Sequence, residues 1–593
     1  MKKICLVACL VLMLPIYLFS QDTIVTFSHS GGFYQNSFSL ELTCDEAYHI
    51  RYTTNGGTPT ANSTLYEAPL VLNKNLLSNS NIYTIVNCIP SVYHSVDDVE
   101  RCIVIRAGVF DENDSCVSRT TTNSYFIGSL GCDLHGLPVI SIATDSLSLF
   151  DYDTGIFIPG ASYDPSDSTH TGNYCNHGRE WERRINVEFY ETDNTGINQQ
   201  CGLRAHGGAS RWFQQKGMKL YARDEYGKKR FKHKFFEHSN YNSFKRLCLH
   251  PFCCSNWIQT GGQEYLSQRI ASNLDIDALA VRQTAVFING EYWGIYTLEE
   301  ATDERYLEDH YNVDLETVNI IQYWPGISDY GDPTDWISFY NWINNADLTQ
   351  PADSLNAFTR IDMLNFIDYM IFEIFSANLD WPQNNVKIWQ NETGDKFRFI
   401  FYDGDGCFTN WQFLALNHAM NSGGNSRVFN HFCENESFKR MFIDRYQELK
   451  STFFDYDAMN QYLIEYQNII EEEVPKQSAR FGFPLSFEKW ESDMAKADEF
   501  LLMHYTVFEE ELFQILNNHE IENEGFACSP NPSNGKIFIE ITDNQVFNNV
   551  IQVFNIFGTL VYKDVMSTTL SLDLPIGIYF INIGNSTQRI IIQ

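Results

Sequence analysis

The sequence is poor in basic side chains, with 41 Lys and Arg against 75 Asp and Glu and a formal net charge of −34. Such an acidic surface repels a phosphate backbone, so the composition argues against a nucleic-acid partner. It also means that any nucleotide-binding cleft must be locally basic.

Zinc-type cysteine pairs are missing, because none of the 15 cysteines forms a C-x-x-C motif. Cys248, Cys253 and Cys254 lie near His250, but they are therefore expected to be buried or disulfide-bonded rather than to bind zinc. No apolar run after residue 20 is long enough to span a bilayer, which predicts no transmembrane segment after signal cleavage.

Residues 1–20 have the pattern of a Sec signal peptide. Lys2 and Lys3 precede an apolar run over 4–19, and Ser20 is a small residue before the expected cleavage point. Export permits disulfides. An even set of cysteines follows near the start of the mature chain: Cys44, Cys88, Cys102 and Cys116.

A chain of 593 residues is too long for one hydrophobic core, so several domains are expected. The stretch 376–408 is the one around which the rest is organised. It contains Asp380, then Asn385 five residues later, and then Asp403 and Asp405 after a hydrophobic run. Phosphoryl transfer needs an acid that accepts a proton from the attacking hydroxyl, and an amide and a second acid that hold magnesium.

Taken alone, this pattern is also typical of simple turns, because Asp and Gly favour turn geometry. An EF-hand is excluded, since Cys407 and Leu414 stand where calcium ligands are needed. A glycoside hydrolase that uses Asp403 and Asp405 is a weaker alternative, because no separate acid is evident as the partner.

A second candidate segment, 201–227, combines a strand, a glycine turn and a strand with lysines. Backbone N–H groups around Gly207 and Gly208 can face phosphate, and a lysine on the next strand can pair with it. Lys216 and Lys219 point to opposite faces of a strand, so only one of them can enter a cleft. A plain hairpin is the alternative.

The segment 283–300 is predicted to be a hairpin, because Asn289-Gly290 is a strong type I′ turn signal. Its second strand ends at Glu299 and Glu300. These acids are candidates for an ion pair with the lysine, or they are simply solvated.

Four ordered blocks together resemble the CotH kinase family, the spore-coat protein H-like atypical kinases. The blocks are R-x-H-G-G-x-S-R…K at 204–216, I-N-G-E-Y-W-G-I-Y-x-L-x-E at 288–300, N-x-D-x-x-x-x-N at 378–385 and Y-D-x-D at 402–405. The resemblance covers 136–516 and implies a divergent protein-kinase-like fold with transfer of phosphate from ATP to protein hydroxyls.

The same resemblance implies residue roles. Asp380 would be the catalytic acid, and Asn385 and Asp403 would hold Mg²⁺ or Mn²⁺ with Asp405 near the metal. Lys216 would contact the ATP phosphates, with Lys219 as the alternative. The remaining implied ATP-site residues are Arg204, Gly207, Gly208 and Glu299. Apolar residues recur at helical spacing over 436–453, 458–474 and 489–516, which predicts that the C-terminal part of this domain is helical.

In the first module, 23–128, apolar and polar residues alternate in short runs, which is typical of the strands of a β-sandwich. Its H-I-R-Y-T-T-N-G-G-T-P-T line, followed by Tyr66 and Arg106-Ala107, resembles the chitobiase C-terminal-type Ig-like domain, with Asn55 in place of the usual Asp. Such domains bind glycan or act as spacers, and both alternatives stay open.

The tail, 526–593, has period-two strands separated by Gly and Asn turns. Its P-N-P-S-N-G start, N-x-F-G hairpin and L-P-x-G-I-Y-F strand resemble the type IX (Por) secretion sorting domain, type A. This implies passage through the outer membrane by the type IX machinery, and a secreted or surface location.

The sequence thus predicts a multidomain protein in which a central α+β kinase-like domain is flanked by two all-β Ig-like sandwiches. The expected function is an exported protein kinase with ATP, Mg²⁺ and a protein substrate. The alternative is a non-catalytic adhesin or glycan-binding surface protein on a pseudokinase scaffold.

Overall fold

The computed structural model describes residues 24–77, 99–132, 136–167, 170–254, 258–322, 326–516, 526–530, 533–541, 550–555, 560–565, 569–583 and 586–592. The predicted signal peptide, residues 1–20, and Cys88 lie outside these residues.

The N-terminal module consists of short strands, as its alternating sequence predicts. These strands are β1 Thr26–Phe27, β2 Gly32–Tyr34, β3 Ser39–Leu40, β4 Leu42–Thr43, β5 His49–Thr53, β6 Thr64–Leu65, β7 Leu70–Val71, β8 Ile103–Phe110 and β9 Thr121–Ile127. One sheet has the order β2-β9-β8-β5-β6, while β1 pairs with β4 and β3 with β7. Ile103, Ile105 and Val109 of β8 are buried in one apolar core.

The first part of the central region is a closed barrel with the strand order β10-β11-β12-β13-β16-β18-β17. Its strands, with the short pair β14 and β15 between them, are β10 Val139–Ala143, β11 Arg183–Tyr190, β12 Gly196–Ala205, β13 Met218–Tyr221, β14 Phe231–Lys232, β15 Ser243–Phe244, β16 Arg246–Pro251, β17 Val281–Ile288 and β18 Glu291–Glu300. Leu203, Leu220 and Leu247 belong to its buried core. Because side chains alternate along a strand, Arg204 and Lys219 lie on the other face.

The predicted hairpin at Asn289-Gly290 is confirmed. Ile288 pairs with Glu291, so two residues form the turn. Their φ angles are 50° and 85°, which is the positive pair that a type I′ turn requires. The side-chain amide of Asn289 donates to the backbone carbonyl of Thr144 and accepts from the backbone N–H of Thr144, both at 2.9 Å. These two bonds fix the turn against the chain after β10.

Helices dominate the chain after the barrel. The helices of the described chain are α1 Ser146–Phe150, α2 Gln263–Ala271, α3 Glu304–Tyr311, α4 Thr334–Ile343, α5 Pro351–Arg360, α6 Met363–Phe375, α7 Ala415–Asn421, α8 Arg427–Cys433, α9 Glu436–Lys450, α10 Tyr456–Ile470, α11 Val474–Phe481 and α12 Phe487–Leu516. The helices predicted over 436–453, 458–474 and 489–516 correspond to α9, α10 and α12.

A four-stranded sheet accompanies these helices, with the order β20-β19-β21-β22. Its strands are β19 Asn319–Gln322, β20 Ile327–Tyr330, β21 Lys387–Gln390 and β22 Arg398–Ile400. Helix α6 is rich in apolar residues and almost wholly buried, as expected for a helix inside a core. Its Phe366 and Tyr369 rings each lie 5.0 Å from the Phe399 ring of β22.

The tail forms two sheets, with the orders β23-β24-β27 and β26-β25-β28-β29. The strands are β23 Phe526–Ser529, β24 Lys536–Ile541, β25 Val550–Asn555, β26 Leu560–Val565, β27 Thr569–Asp573, β28 Gly577–Ile583 and β29 Ser586–Ile592. Ile537 and Ile539 of the first sheet share a buried core with Ile551 and Ile581 of the second.

The chain divides into two compact units. Unit 1 contains residues 1–265, 279–309 and 465–493, and therefore the N-terminal module and the barrel. Unit 2 contains 266–278, 310–464 and 494–593, and therefore helix α6, the four-stranded sheet and the tail.

Of the cysteines whose side chains the structure describes, Cys102, Cys201 and Cys248 are free, buried thiols. This agrees with one of the two expectations for Cys248. Across the same residues, no helix combines the length and apolar character that crossing a bilayer requires.

Candidate active site

The loop that carries Asp380 begins where helix α6 ends. The Ser376 N–H closes the last turn on the Phe372 carbonyl at 2.8 Å. Asn378, which is buried, then donates from Nδ2 to Oε2 of Glu373 at 3.0 Å and accepts from the Asp380 N–H at 3.3 Å. Asn378 therefore fixes the start of this loop against the buried helix.

The carboxylate of Asp380 is held by two amides. Nδ2 of Asn384 donates to Oδ1 at 2.8 Å, and Nδ2 of Asn385 donates to Oδ2 at 3.2 Å. Asn385 is buried and has a φ of 60°, a left-handed conformation that Asn tolerates better than most residues. The D-x-x-x-x-N spacing thus brings its acid and amide into direct contact.

Asp403 lies beside the same amide. Its carbonyl oxygen is 3.5 Å from Nδ2 of Asn385, and its own backbone is left-handed, with φ 61° and ψ 60°. Asp405 follows in the single 3₁₀ turn Gly404–Gly406 and is partly buried. Unit 2 therefore brings Asp380, Asn385 and Asp403 together and places Asp405 in the adjoining turn.

The two glycines of the D-G-D-G sequence allow this close approach. A Cβ on Gly406 would lie 2.5 Å from Oδ1 of Asn378 and 2.9 Å from the Leu379 nitrogen. A Cβ on Gly404 would lie 2.1 Å from Oγ of Ser267. The Leu379 N–H also donates to the Gly406 carbonyl at 3.3 Å, so the two loops are joined through their backbones.

The donor set suits a hard divalent cation. Asn385, Asp403 and Asp405 offer amide and carboxylate oxygens, which Mg²⁺ and Mn²⁺ prefer to nitrogen and sulfur ligands. Across the described residues, no group of three or more His, Cys, Asp and Glu is arranged to hold a metal ion. The candidate site consequently depends on one amide and on carboxylates from a single loop.

In unit 1, four polar side chains form a row across neighbouring strands. Arg204 of β12 pairs in register with Lys219 of β13, Lys219 with Cys248 of β16, and Cys248 with Glu299 of β18. Residues directly opposite each other in a sheet share a face. Two residues predicted for the site, Arg204 and Glu299, therefore lie on one outer face of the barrel with Lys219, the alternative lysine.

The carboxylate that Lys219 contacts is Asp303, at the start of helix α3. The Lys219 Nζ lies 2.7 Å from Oδ2 of Asp303, and both side chains are about nine-tenths buried. Burial alone lowers the pKa of a lysine, but the Asp303 carboxylate outweighs it and raises the pKa of Lys219. Burial likewise opposes ionisation of Asp303, and Lys219 and Arg246 nonetheless hold the pKa of Asp303 below its usual range. The pair is charged.

Lys216, the predicted phosphate contact, is fully buried. Its Nζ donates to the carbonyls of Arg211 and Phe213 at 2.7 and 2.9 Å and lies 4.4 Å from the centre of the Tyr174 ring. These contacts fix the turn before β13. The two lysines that the sequence left as alternatives therefore lie in different surroundings, Lys216 against backbone carbonyls and Lys219 in the row of polar side chains on the outer face of the barrel.

Arg204 and the glycine turn complete the predicted set. Arg204 forms an ion pair with Glu182 at 2.8 Å and stacks 4.4 Å from the centre of the Tyr221 ring. Gly207 has a φ of 98°, and a Cβ there would lie 1.9 Å from Oγ of Ser210. A Cβ on the exposed Gly208 would meet nothing within 4 Å, so its backbone is open to a ligand.

Three residues of these clusters were not predicted as site residues. Asn378 and Asn384 both lie inside the N-x-D-x-x-x-x-N motif, so the amide-rich sequence around Asp380 was an available signal. Asp303 is 84 positions from Lys219, and Glu299 and Glu300 just before it offered equally plausible partners. No local signal in the sequence distinguishes Asp303 from them.

The segment that carries both clusters matches a family model described as CotH kinase protein, over residues 203–506, about half of the chain. The chain belongs to the CotH kinase family. Membership of the CotH kinase family gives the central region a kinase-like fold of mixed α and β structure, in agreement with the barrel and the helices described above.

Two further models match the flanking modules. Residues 40–125 match a model described as Fn3 associated, and 528–593 match a secretion system C-terminal sorting domain. The sorting tail indicates type IX secretion of this CotH family member to the cell surface or the medium, as the sequence predicted.

Solved structures share a distant likeness with the chain. The Helicobacter pylori proinflammatory kinase CtkA matches with 9% identity and a TM-score of 0.27, over 54% of this chain and 98% of that one. Two structures of the Golgi casein kinase, one with Mn/ADP bound, match with 8% identity and a TM-score of 0.21. Each covers 55% of this chain, and they are matched over 69% and 71% of their own. No curated protein matches the chain.

Proposed function

We propose that the protein is an exported protein kinase that transfers the γ-phosphoryl group of ATP to a hydroxyl of a protein substrate. The observation that carries the proposal is the contact of the Asp380 carboxylate with Asn385, whose amide also reaches Asp403. The kinase domain would span 136–516, between Ig-like modules at 23–128 and 526–593. The first module would bind glycan or act as a spacer.

Asp380 has the role of the proton acceptor. The substrate hydroxyl oxygen attacks the γ-phosphorus, the bond from that phosphorus to the bridging oxygen breaks, and ADP leaves. The hydroxyl proton passes to a carboxylate oxygen of Asp380. Asn384 and Asn385 orient this carboxylate, because each donates one hydrogen bond to it.

Asn385 and Asp403 would hold Mg²⁺ or Mn²⁺, with Asp405 beside them. When bound, the cation neutralises phosphate charge. Lys219, on the outer face of the barrel, would contact the phosphates. Its ion pair with Asp303 would keep the lysine ammonium group charged and in place. The backbone around Gly207 and Gly208 would cover the phosphates.

The test is transfer of label from γ-labelled ATP to a mixed protein substrate by the full-length protein with Mg²⁺ or Mn²⁺. We expect labelling by the wild type and almost none by Asp380→Asn or Asp403→Asn. Asp444→Asn is the matched control, because Asp444 is an exposed acid on helix α9. Equal labelling by all four proteins contradicts the proposal, and glycan binding without any transfer would favour a non-catalytic surface protein.

A further inference from the structure

Unit 1 contains a pocket of about 470 Å³ around the Tyr221 ring. Six basic residues line it: Arg179, Arg223, Lys229, Lys245, Arg246 and Arg305. Asp224 and Glu225 are the two acids of the lining. Bases thus outnumber acids among the lining residues by six to two, whereas in the whole chain acids outnumber bases by 75 to 41.

Most of these bases have carboxylate partners. Arg223 pairs with Glu182, Lys229 with Asp224, Arg179 with Glu225, Arg246 with Asp303 and Glu304, and Arg305 with Glu304 and Glu308. The partners hold the bases in position. Arg223 and Arg246 also lie 5.0 and 5.7 Å from the centre of the Tyr221 ring, which orients their planar groups.

Lys245 differs from the other five. Within the described chain, no carboxylate lies within ion-pair distance of its ammonium group. Its backbone carbonyl accepts from the Ala222 N–H at 3.0 Å, which anchors it at the pocket wall. Burial and then the positive charges of Arg305 and Arg230 lower the pKa of Lys245, although the carboxylates of Glu308 and Asp224 oppose the shift. A cation beside like charges in a pocket is the arrangement that an anion would stabilise.

We propose that this pocket binds a small molecule that carries phosphate groups. Guanidinium groups match phosphate with paired hydrogen bonds, and lysine adds a compact positive charge. The volume exceeds what a single phosphate ion fills and is within the range of small-molecule sites. The site does not depend on the proposed kinase activity.

Within unit 1, Arg246 connects this pocket to Lys219. It lines the pocket and also donates to Oδ2 of Asp303, the oxygen that Lys219 contacts. A phosphate group on Arg246 competes with Asp303 for the same guanidinium. Occupation of the pocket would therefore change the surroundings of Lys219, so a bound phosphate compound can regulate that lysine.

The test is calorimetric titration of the full-length protein with pyrophosphate and with inorganic phosphate, without nucleotide or divalent metal. We expect pyrophosphate to bind more tightly than inorganic phosphate. Lys245→Gln should weaken pyrophosphate binding about tenfold, the scale of one charge-assisted hydrogen bond. Lys245→Arg should restore it.

Two controls separate this site from general charge and from the kinase. Lys234→Gln removes the same charge from an exposed position outside the pocket and should leave binding unchanged. Asp403→Asn should also leave it unchanged, so failed phosphoryl transfer would not count against the pocket. Equal pyrophosphate affinity in the wild type and in a folded Lys245→Gln protein would overturn the proposal, as would an equal loss in Lys234→Gln.

Discussion

Nδ2 of Asn385 lies 3.2 Å from Oδ2 of Asp380 and 3.5 Å from the carbonyl oxygen of Asp403. One buried amide thus contacts both of the loops that contain the predicted acids. Asn385 and Asp403 both adopt left-handed backbone conformations, which Asn and Asp tolerate better than most other residues. The shape of each loop therefore depends on the residue type at this position.

The first prediction concerns the proton acceptor. Asp380→Asn keeps the size of the side chain but removes its basicity, so kcat should fall by roughly 10²–10⁴-fold. KM for ATP should change little, because Asp380 is proposed to act on the hydroxyl. Steady-state kinetics with Asp444→Asn as the control measures both. A raised KM with an unchanged kcat would assign Asp380 to ATP binding instead.

The second prediction separates the two lysines. Lys219→Met should abolish the rise in Tm that ATP and Mg²⁺ produce in the wild type. Lys216→Met should lower the Tm without ligand, because it removes the donor to two backbone carbonyls, and should keep the ATP-dependent rise. Thermal unfolding with and without ATP decides between them. The opposite pattern would make Lys216 the phosphate contact.

The third prediction tests the approach of the two loops. Gly406→Ala places a Cβ within 2.9 Å of the Leu379 backbone nitrogen, so the loop that carries Asp380 must shift. We expect destabilisation of about 1–3 kcal/mol in denaturant unfolding, with loss of transfer activity. Gly128→Ala is the control, because its nearest neighbour atom would be 3.6 Å away. Equal stability of the two variants would show that Gly406 is not required for packing.

The fourth prediction concerns pH. Glu188 is fully buried, and this burial raises its pKa from 4.5 to about 7, although hydrogen bonds from Ser124 and Tyr190 oppose the shift. The folded state therefore binds more protons than the unfolded state between pH 4.5 and about 7. The contribution of Glu188 to the free energy of unfolding is full below pH 4.5 and is lost as the pH rises through 7.

Glu188→Gln should remove this dependence. The difference in free energy of unfolding between wild type and variant should change by about 3 kcal/mol from pH 4.5 to pH 8, since one pKa unit corresponds to ~1.4 kcal/mol. Glu46→Gln, at an exposed position in the N-terminal module, should show no such change. Parallel curves for wild type and Glu188→Gln would contradict the assignment.

Much of the fold was predictable because its signals are local. The Asn289-Gly290 turn fixes its hairpin by two positive φ angles, and α9, α10 and α12 follow from apolar spacing. The contact of Asp380 with Asn385 was predictable for the same reason, since the two residues are only five positions apart. The strands of the N-terminal module were predicted as a class, although β3, β4 and β7 are only two residues long.

The closed barrel and the partner of Lys219 were not predictable from the sequence. The barrel closes when β10 pairs in parallel with β17, more than 140 positions later, and no local pattern encodes that pairing. Asp303 is selected by the position of α3 against the barrel, while Glu299 and Glu300 have the same charge nearby. Such choices depend on packing between distant segments.

The most direct measurement is ³¹P NMR of ATP and a protein substrate with the full-length protein and Mg²⁺. We predict that the γ-phosphate signal is replaced by those of ADP and a phosphate monoester on the protein, and that Asp380→Asn leaves ATP unchanged. Wild-type protein that leaves ATP intact, or that releases only inorganic phosphate, would contradict phosphoryl transfer to a protein hydroxyl.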